Sequence, residues 1–229
     1  MSETKKKIKS ICVDTLSGIQ VEEYMRSKKK PNHDEWFDIG QDIYNFMSDL
    51  QTLGFELILV LSEPGQGKSS GMRTLEPDTN IWYNADNKNP VWIGGREEYG
   101  KKNKPREPYH VIPKSYADVL DHIKGGIAAG MFEEDRYAIL TGHIETYKSG
   151  ISNLQRLKVL GKVATKMQLE GKLETVLYAK VDRENGTNKY LLETQNNGMN
   201  TARSPQGLFE PIIPNDYGFV ISKLEEFYK

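Results

Sequence analysis

The chain has 229 residues, of which 37% are hydrophobic and 28% charged, the proportions of an ordinary globular protein with one large domain. Its net charge of −1 gives no general positive field for nucleic acid, and no apolar run is long enough to span a membrane. Cys12 is the single cysteine, which excludes an internal disulfide and a thiolate metal cluster and favours a cytoplasmic location.

The first predicted element is a strand over Ile8–Val13, and Asp14 follows it directly. An apolar strand that ends in an acid is typical of the second Mg²⁺-binding element of phosphate-loop proteins. Asp14 would lie at the carboxyl end of the strand, where open α/β sheets bind their ligands. Because many strands end in Asp, this pattern gains its weight from Lys68 further along the chain.

A polar stretch, Val21–His33, comes next. Its run Lys28-Lys29-Lys30-Pro31 is either a solvated loop or a DNA contact. Apolar residues at helical spacing then predict a helix that begins at Asp34 and ends before Gly54, with its apolar face in the core.

The most informative stretch runs from Phe55 to Ser70. Phe55–Leu61 is a short apolar run typical of a buried parallel strand. The next eight residues, Ser62-Glu-Pro-Gly-Gln-Gly-Lys-Ser69, nearly fit the phosphate-loop pattern Gly-x-x-x-x-Gly-Lys-Ser/Thr, with serine in place of the first glycine. The glycines would turn successive amides toward one point, and a helix beginning near Lys68 would add its dipole. A glycine-rich turn without a ligand is the alternative.

The pattern gives each of these residues a role in binding ATP. The Lys68 ammonium would reach the β- and γ-phosphates, and the Ser69 hydroxyl would hold Mg²⁺. The other contacts to the nucleotide would come from Ser62, Glu63, Pro64, Gly65, Gln66, Gly67 and Ser70.

Asn80–Asn84 is the next predicted strand and runs into Asp86. An acid at this place could polarise an attacking water, although a turn Asp that solvates its own backbone fits equally well. Residues 87–108 form a long loop in which basic residues alternate with Trp92 and Tyr99. This alternation suits single-stranded nucleic acid, and an ordinary surface loop is the alternative.

A strand over Tyr109–Ile112 and a helix over Ser115–Gly130 lead to a strand over Tyr137–Thr141. His143 follows that strand, where it could face the γ-phosphate and report its presence. An isolated His in a turn more often has a structural role. The segment Asn153–Glu170 after it is amphipathic and basic.

Strands over Leu173–Val181 and Tyr190–Thr194 flank Asn185-Gly186, a frequent hairpin turn. The polar residues 195–209 then form a loop that is mobile or ordered by a ligand. Arg203 within it is a candidate contact for a phosphate or a DNA backbone.

The predicted layout is therefore one α/β domain over residues 1–229, which ends in a helix over Asp216–Lys229. Its sheet is mostly parallel with helices on both faces, and a β-hairpin near the C-terminus extends it. The sequence contains no internal repeat.

Together these segments resemble the RecA-like phosphate-loop ATPases encoded by phages, and most of all the Sak-type group linked to single-strand annealing and recombination. The resemblance implies an Mg²⁺-dependent ATPase that works with single-stranded DNA as a homo-oligomer. The stretches that carry it cover most of the chain and are Ser62–Ser69, Tyr83–Asp86, Cys12–Gly18 with Glu23–Met25 and Trp36, Gly142–Glu145, and Thr194–Phe209.

The resemblance also implies roles for single residues. Asp14 would be the metal-side acid, Asp86 the water-activating acid and His143 a sensor, while Lys68 and Ser69 keep the roles given above. Arg203 would reach the nucleotide of a neighbouring subunit, because RecA-like proteins place ATP at subunit interfaces.

The order of the segments departs from this family. In the family the phosphate-loop half comes first, and a later Asp-Thr strand feeds the strand that ends in Gly-His. Here the strand ending in Asp14 comes first and feeds the phosphate-loop strand, whereas the helix at 115–130 feeds the strand that leads to His143. The two recipient strands are neighbours in RecA-like cores. The sequence therefore predicts a permuted core in which Asp14 lies near Lys68 in space.

Two other functions remain open at this point. A nucleotide-responsive assembly protein would bind ATP and barely cleave it, which a weak base at Asp86 would permit. A phosphate-loop phosphotransferase would need an acceptor pocket and a lid, and the sequence contains no acceptor motif.

Overall fold

The computed structural model describes residues 6–26, 33–149, 152–159, 169–183 and 186–229, which form an α/β domain around one mixed sheet of nine strands. The strands are β1 (Ile8–Asp14), β2 (Phe55–Ser62), β3 (Asn80–Asn84), β4 (Gly100–Lys101), β5 (Lys104–Pro105), β6 (His110–Val111), β7 (Phe132–Ser149), β8 (Ser152–Leu157), β9 (Thr175–Asp182), β10 (Lys189–Glu193) and β11 (Ile212–Pro214). The α-helices are α1 (Leu16–Arg26), α2 (His33–Thr52), α3 (Gly95–Tyr99), α4 (Tyr116–Ala128) and α5 (Tyr217–Tyr228), and 3₁₀ turns cover Ser69–Thr74, Pro77–Thr79 and Leu169–Lys172.

The strand order in the sheet is β11-β10-β9-β2-β7-β1-β3-β6. All neighbours from β9 to β6 are parallel, while β10 and β11 continue the sheet as antiparallel strands and β8 pairs antiparallel with β7. β4 and β5 form a separate antiparallel ribbon. The mostly parallel sheet and its hairpin extension near the C-terminus are confirmed.

Parallel strands bring their carboxyl ends to the same edge of a sheet. Ser62 at the end of β2 is in register with His143 on β7, and Asp14 at the end of β1 is in register with Asn84 on β3. Leu140 of β7 is in turn the partner of Val13 on β1. The carboxyl ends of β1, β2 and β3 and the middle of β7 at His143 therefore meet at one edge, which we call the carboxyl edge.

Two apolar layers cover the sheet, one on each face. The first layer contains buried residues of α1, α2 and α4, among them Leu16, Phe46 and Val119. The second contains buried residues of α3 and α5, such as Tyr99 and Leu224. Helices on both faces are therefore confirmed, and β2 in the middle is buried along almost its whole length.

Several elements differ from the sequence predictions. Helix α1 covers the first part of the predicted polar stretch, residues 21–33. The polar composition is compatible with a helix because only a narrow side of α1, with Leu16 and Ile19, is fully buried. Strand β7 continues to Ser149, since β8 supplies an antiparallel partner for its polar second half. The amphipathic segment 153–170 thus begins as a strand. The lysine run 28–31, residues 160–168 and Asn185 lie outside the described residues.

The segment after Lys68 is a 3₁₀ turn over Ser69–Thr74, not the predicted helix with a dipole of its own. The amides of the loop must therefore supply most of any attraction for an anion. Glycine is needed at position 71 of this turn, because a Cβ there would lie 2.4 Å from the ring of Tyr217. Of the helices in the described ranges, none has the length and apolar character needed to cross a membrane.

Candidate nucleotide-binding site

The loop after β2 has the backbone that the phosphate-loop pattern predicts. Gly65 has φ +78° and Gly67 φ +89°, the left-handed region that glycine adopts readily. Within the described residues, the backbone amides of Lys68 and Ser69 have no acceptor from the protein. These two donors are therefore available to an anionic ligand.

The Lys68 ammonium is folded back over its own loop and is almost fully buried. Its Nζ donates to the Ser62 carbonyl and hydroxyl, both at 3.0 Å, and to the Glu63 carbonyl at 3.2 Å. The fourth contact is His143 Nδ1 at 3.3 Å. Burial lowers the pKa of Lys68 to about 8, although Asp14 opposes the shift.

His143 lies beside Lys68 at the carboxyl edge, within strand β7 and not in a turn after the strand. Burial lowers the pKa of His143, and the neighbouring positive charge of Lys68 lowers it further. Because a neutral imidazole offers one nitrogen as an acceptor, Nδ1 can accept from the Lys68 ammonium. A ligand that draws Lys68 toward itself would break this contact, so the arrangement is compatible with a sensor.

The pKa of about 8 at Lys68 leads to a pH-dependent prediction. An anionic ligand stabilises the charged ammonium, so binding raises the pKa of Lys68 and takes up a proton above about pH 8. The affinity for Mg²⁺·ATP is expected to be constant below pH 8 and to fall at higher pH.

Calorimetry in two buffers of different ionisation enthalpy measures this proton uptake directly. The uptake near pH 8.5 should disappear in the Lys68→Arg variant, because a guanidinium stays charged throughout this range. Equal uptake in both proteins would contradict the assignment to Lys68.

Asp14 and Ser69 meet at the carboxyl edge, although 55 positions separate them in the chain. The Ser69 hydroxyl donates to Asp14 Oδ2 at 2.7 Å, and the Thr141 hydroxyl donates to Asp14 Oδ1 at 2.7 Å. The Asp14 carboxylate is buried, with 4% of the residue exposed. Among the described residues, no group of three or more His, Cys, Asp or Glu could hold a metal.

The Asp14–Ser69 pair is nevertheless a donor set that fits Mg²⁺. This ion prefers hard oxygen ligands and is commonly held by one or two carboxylates together with water and substrate phosphates. One carboxylate and one hydroxyl, already in contact, could provide the protein's share of such a shell.

Asp86 lies after β3 and contacts side chains of two neighbouring segments. Lys88 Nζ donates to its Oδ2, and the Thr15 hydroxyl donates weakly to its Oδ1 at 3.4 Å. A Cβ on Gly18 would lie 2.5 Å from Asp86 Oδ1, so glycine is needed there for α1 to approach. These contacts hold the carboxylate at the carboxyl edge beside Asp14-Thr15.

A cavity of about 400 Å³ opens beside Asp86 and His143. Further lining comes from Ser17, Glu22 and Lys158. Because Lys68 contacts His143, this cavity borders the place where the terminal phosphate of a bound nucleotide would lie. It offers room for a water or a larger acceptor.

The other predicted contact residues vary in position. Glu63, Pro64 and Gly65 are exposed at the tip of the loop, whereas Ser62 is buried beneath it. Gln66, Gly67 and Ser70 are half-buried.

Arg203 is not brought to Lys68 of the same chain. Its backbone pairs with Val176 of β9, which lies level with Leu59 inside β2, three positions before Ser62. The residue is exposed. Its expected contact with a neighbouring subunit's nucleotide stays a prediction.

The aromatic residues of loop 87–108 are part of the core. Tyr99 is fully buried, and Trp92 packs against Tyr99 and Trp82 with ring centroids 5.9 Å and 6.0 Å away. Because these rings pack into the second apolar layer, they are not freely exposed to bases, and the contact of this loop with single-stranded nucleic acid stays a prediction. The lysines of the β4–β5 ribbon are exposed at 101, 102 and 104.

Sequence reasoning missed three residues around the loop. Thr141 could have been noticed as the one polar residue that closes an apolar strand. Asn215 and Tyr217 hydrogen-bond to the carbonyls of Gly67 and Lys68 from the C-terminal part of the chain. No local sequence pattern predicts hydrogen bonds between residues so far apart in the chain.

No family model matches the chain, and no curated protein or solved structure matches it. The function is therefore inferred from the residues at the carboxyl edge and the groups they hold together.

Proposed function

We propose that this protein binds Mg²⁺·ATP at the loop after β2 and hydrolyses it. The observation that carries the proposal is the 2.7 Å hydrogen bond between Ser69 and Asp14, next to the buried ammonium of Lys68. A carboxylate–hydroxyl pair suited to Mg²⁺, a cation and two amides that have no acceptor in the described ranges then lie within one small site. This is the set of groups that recognition of a metal-bound triphosphate requires.

The residues divide the work by charge. Lys68 and the amides of Lys68 and Ser69 bind the phosphate oxygens. Ser69 with Asp14 would hold Mg²⁺, which would supply positive charge to neutralise those oxygens. Asp86 orients the attacking water and accepts its proton. Catalysis would come from positioning and charge stabilisation rather than from a covalent intermediate.

The strand order supports a RecA-like core with permuted segments. The two strands whose lead-in segments would be exchanged, β2 and β7, are adjacent over eight residue pairs, from Phe55–Arg136 to Ser62–His143. An exchange between neighbours keeps the carboxyl edge intact.

A crystal structure with Mg²⁺ and a non-hydrolysable ATP analogue tests the proposed binding site. The metal should lie between Ser69 and Asp14, and a metal elsewhere would contradict it.

Replacing Asp86 by Asn distinguishes hydrolysis from binding alone. Turnover is expected to fall by about 10²- to 10⁴-fold, the usual contribution of a general base, while the affinity for Mg²⁺·ATP stays within about twofold. Phosphate release and calorimetry measure the two quantities. Asp78→Asn is the matched control. The Asp78 carboxylate forms an ion pair with Arg106 at an N–O distance of 2.7 Å, and this pair lies outside the site. If wild type and Asp86→Asn are equally slow, the protein is the nucleotide-responsive assembly protein instead.

A phosphotransferase is the second candidate, and the cavity beside Asp86 favours it. A volume of about 400 Å³ exceeds the space that a single water needs and falls in the range of small-ligand pockets. Incubation with γ-labelled ATP and a panel of small acceptors tests this function. Label transferred to an acceptor would support it, and label found only in inorganic phosphate would support hydrolysis.

We further propose that the ATPase works with single-stranded DNA as a homo-oligomer. The resemblance to the Sak-type group and the exposed lysines at 101, 102 and 104 support the DNA part. Turnover with and without single-stranded DNA at several salt concentrations tests it. Stimulation that fades as salt rises indicates backbone contacts, and the absence of stimulation at low salt would contradict the proposal.

A further inference from the structure

The C-terminal part of the chain holds the phosphate loop by its carbonyl groups. Asn215 Nδ2 donates to the Gly67 carbonyl at 2.7 Å, and the Tyr217 hydroxyl donates to the Lys68 carbonyl. Next to them, the backbone amide of Val181 donates to Gln66 Oε1 at 2.9 Å. Three successive loop residues are thus bound from the same side of the molecule.

These bonds have a consequence for the opposite side of the loop. The only cis peptides among the described residues are Asp14–Thr15 and Glu107–Pro108, so the Gly67–Lys68 and Lys68–Ser69 peptides are trans. In a planar trans peptide the carbonyl and the following N–H point in opposite directions. A donor that fixes the Gly67 or Lys68 carbonyl therefore fixes the direction of the next amide.

The two amides set in this way are those of Lys68 and Ser69. Neither of these two amides has a protein acceptor in the described part of the chain. The hydrogen bonds from Asn215 and Tyr217 thus orient the two amides that a phosphate would need, before any phosphate is bound. Preset donors avoid the reorganisation that flexible ones require when charge arrives.

Asn215 and Tyr217 are themselves held rigidly. Both are almost fully buried, at 2% and 1% exposed. The backbone amide of Asn215 donates to the Tyr190 carbonyl at 3.0 Å, and the backbone amide of Tyr217 donates to the Thr74 hydroxyl at 2.9 Å. The Tyr190 ring in turn covers Gly67, where a Cβ would lie 2.4 Å from Cδ1.

The orientation of the Asn215 side chain satisfies only one of its two polar atoms in the described part of the chain. Its Oδ1 is buried and has no partner among the described residues, an uncommon state for a buried polar atom. The bond from Nδ2 to Gly67 is the interaction that this orientation preserves.

We propose that Asn215 and Tyr217 are positioning residues that preset the Lys68 and Ser69 amides for phosphate oxygens. The inference rests on the proposed function, since it names how the same site is prepared for a polyphosphate. It makes the junction between β11 and α5 a part of the binding site, although neither side chain contacts the ligand.

Tyr217→Phe removes the hydroxyl and keeps the ring. Loss of one preset donor is expected to raise the Kd for Mg²⁺·ATP and for inorganic pyrophosphate by the same factor, about tenfold. KM should rise equally while kcat stays within about twofold, the pattern of lost uniform binding. Calorimetry, steady-state kinetics and urea unfolding measure these quantities.

Tyr178→Phe is the matched control. The Tyr178 hydroxyl also contacts a backbone carbonyl, that of Gln155 at 3.2 Å, and the Thr201 hydroxyl at 2.9 Å. In the described part of the chain none of its hydrogen bonds is to a loop residue, although the Tyr178 backbone pairs with Leu61 of β2. Both variants should lose stability to a similar degree, and only Tyr217→Phe should lose affinity. Should Tyr217→Phe fail to fold, Asn215→Ala decides in the same assays with the same expected direction.

The outcomes separate this inference from the proposed function. Wild-type protein that binds Mg²⁺·ATP, with a folded Tyr217→Phe variant of equal affinity, overturns the positioning role alone. Folded wild-type protein that binds neither Mg²⁺·ATP nor pyrophosphate overturns both. An affinity loss that Tyr178→Phe shares would also overturn the positioning role, because it would follow from stability.

Discussion

Replacing Lys68 by Ala should nearly abolish turnover of Mg²⁺·ATP. Removing one donor that stabilises transition-state charge typically costs about 3–4 kcal/mol, which is some hundredfold or more in rate. Lys68 is well placed for such a role, because its ammonium is buried and lies 3.3 Å from His143 at the edge where Asp14 and Ser69 meet. In that low-dielectric setting its charge acts more strongly than a surface lysine would.

Phosphate release by the purified variant measures the effect, and thermal unfolding checks that the variant is folded. The check matters because Lys68→Ala leaves the Ser62 and Glu63 carbonyls without this donor. Lys172→Ala is the matched control, since Lys172 lies over the ring of Tyr44, outside the site, and should keep full turnover. Unchanged turnover in folded Lys68→Ala would refute the assignment of the loop.

The loop itself could be predicted from the sequence because its signals are local. A buried apolar run before Ser62 and two glycines at Gly65 and Gly67 require only neighbouring residues to act together. The observed strand β2 and the positive φ angles agree with them. Sequence also predicted that Asp14 would approach the loop, from its place at the end of an apolar strand and from the resemblance, although strand order itself is a long-range property.

Features that depend on tertiary packing could not be predicted. The 3₁₀ turn after Lys68 is packed at Gly71 against Tyr217, which lies more than 140 positions later. The second half of β7 is polar and becomes a strand only through its pairing with β8. Trp92 and Tyr99 look like exposed aromatics in a basic loop, yet they fill an apolar layer that the loop sequence does not reveal.

Asp14→Asn is expected to reduce turnover by about a hundredfold or more, because it removes the only charge in the proposed metal-ligating pair of Asp14 and Ser69. The substitution keeps the shape of the side chain. The Ser69 hydroxyl can still donate to the amide oxygen, and the Thr141 hydroxyl can accept from the amide nitrogen. The local hydrogen bonds at 2.7 Å are therefore preserved in number, and the change tests charge rather than packing.

Asp14→Asn should also change how the affinity for ATP depends on Mg²⁺. In wild-type protein Mg²⁺ should strengthen ATP binding, whereas in Asp14→Asn this gain should disappear and metal-free ATP should bind more tightly, because a negative charge facing the phosphates is gone. Calorimetry with ATP in the presence of Mg²⁺ or of a chelator measures both affinities. Glu170→Gln is the matched control, since Glu170 is another buried carboxylate and accepts from the Leu157 amide at 2.6 Å, away from the loop. If Mg²⁺ strengthens ATP binding by the same factor in Asp14→Asn as in wild type, Asp14 is not a metal ligand, and the hydrogen bond from Ser69 serves only to hold the loop against β1.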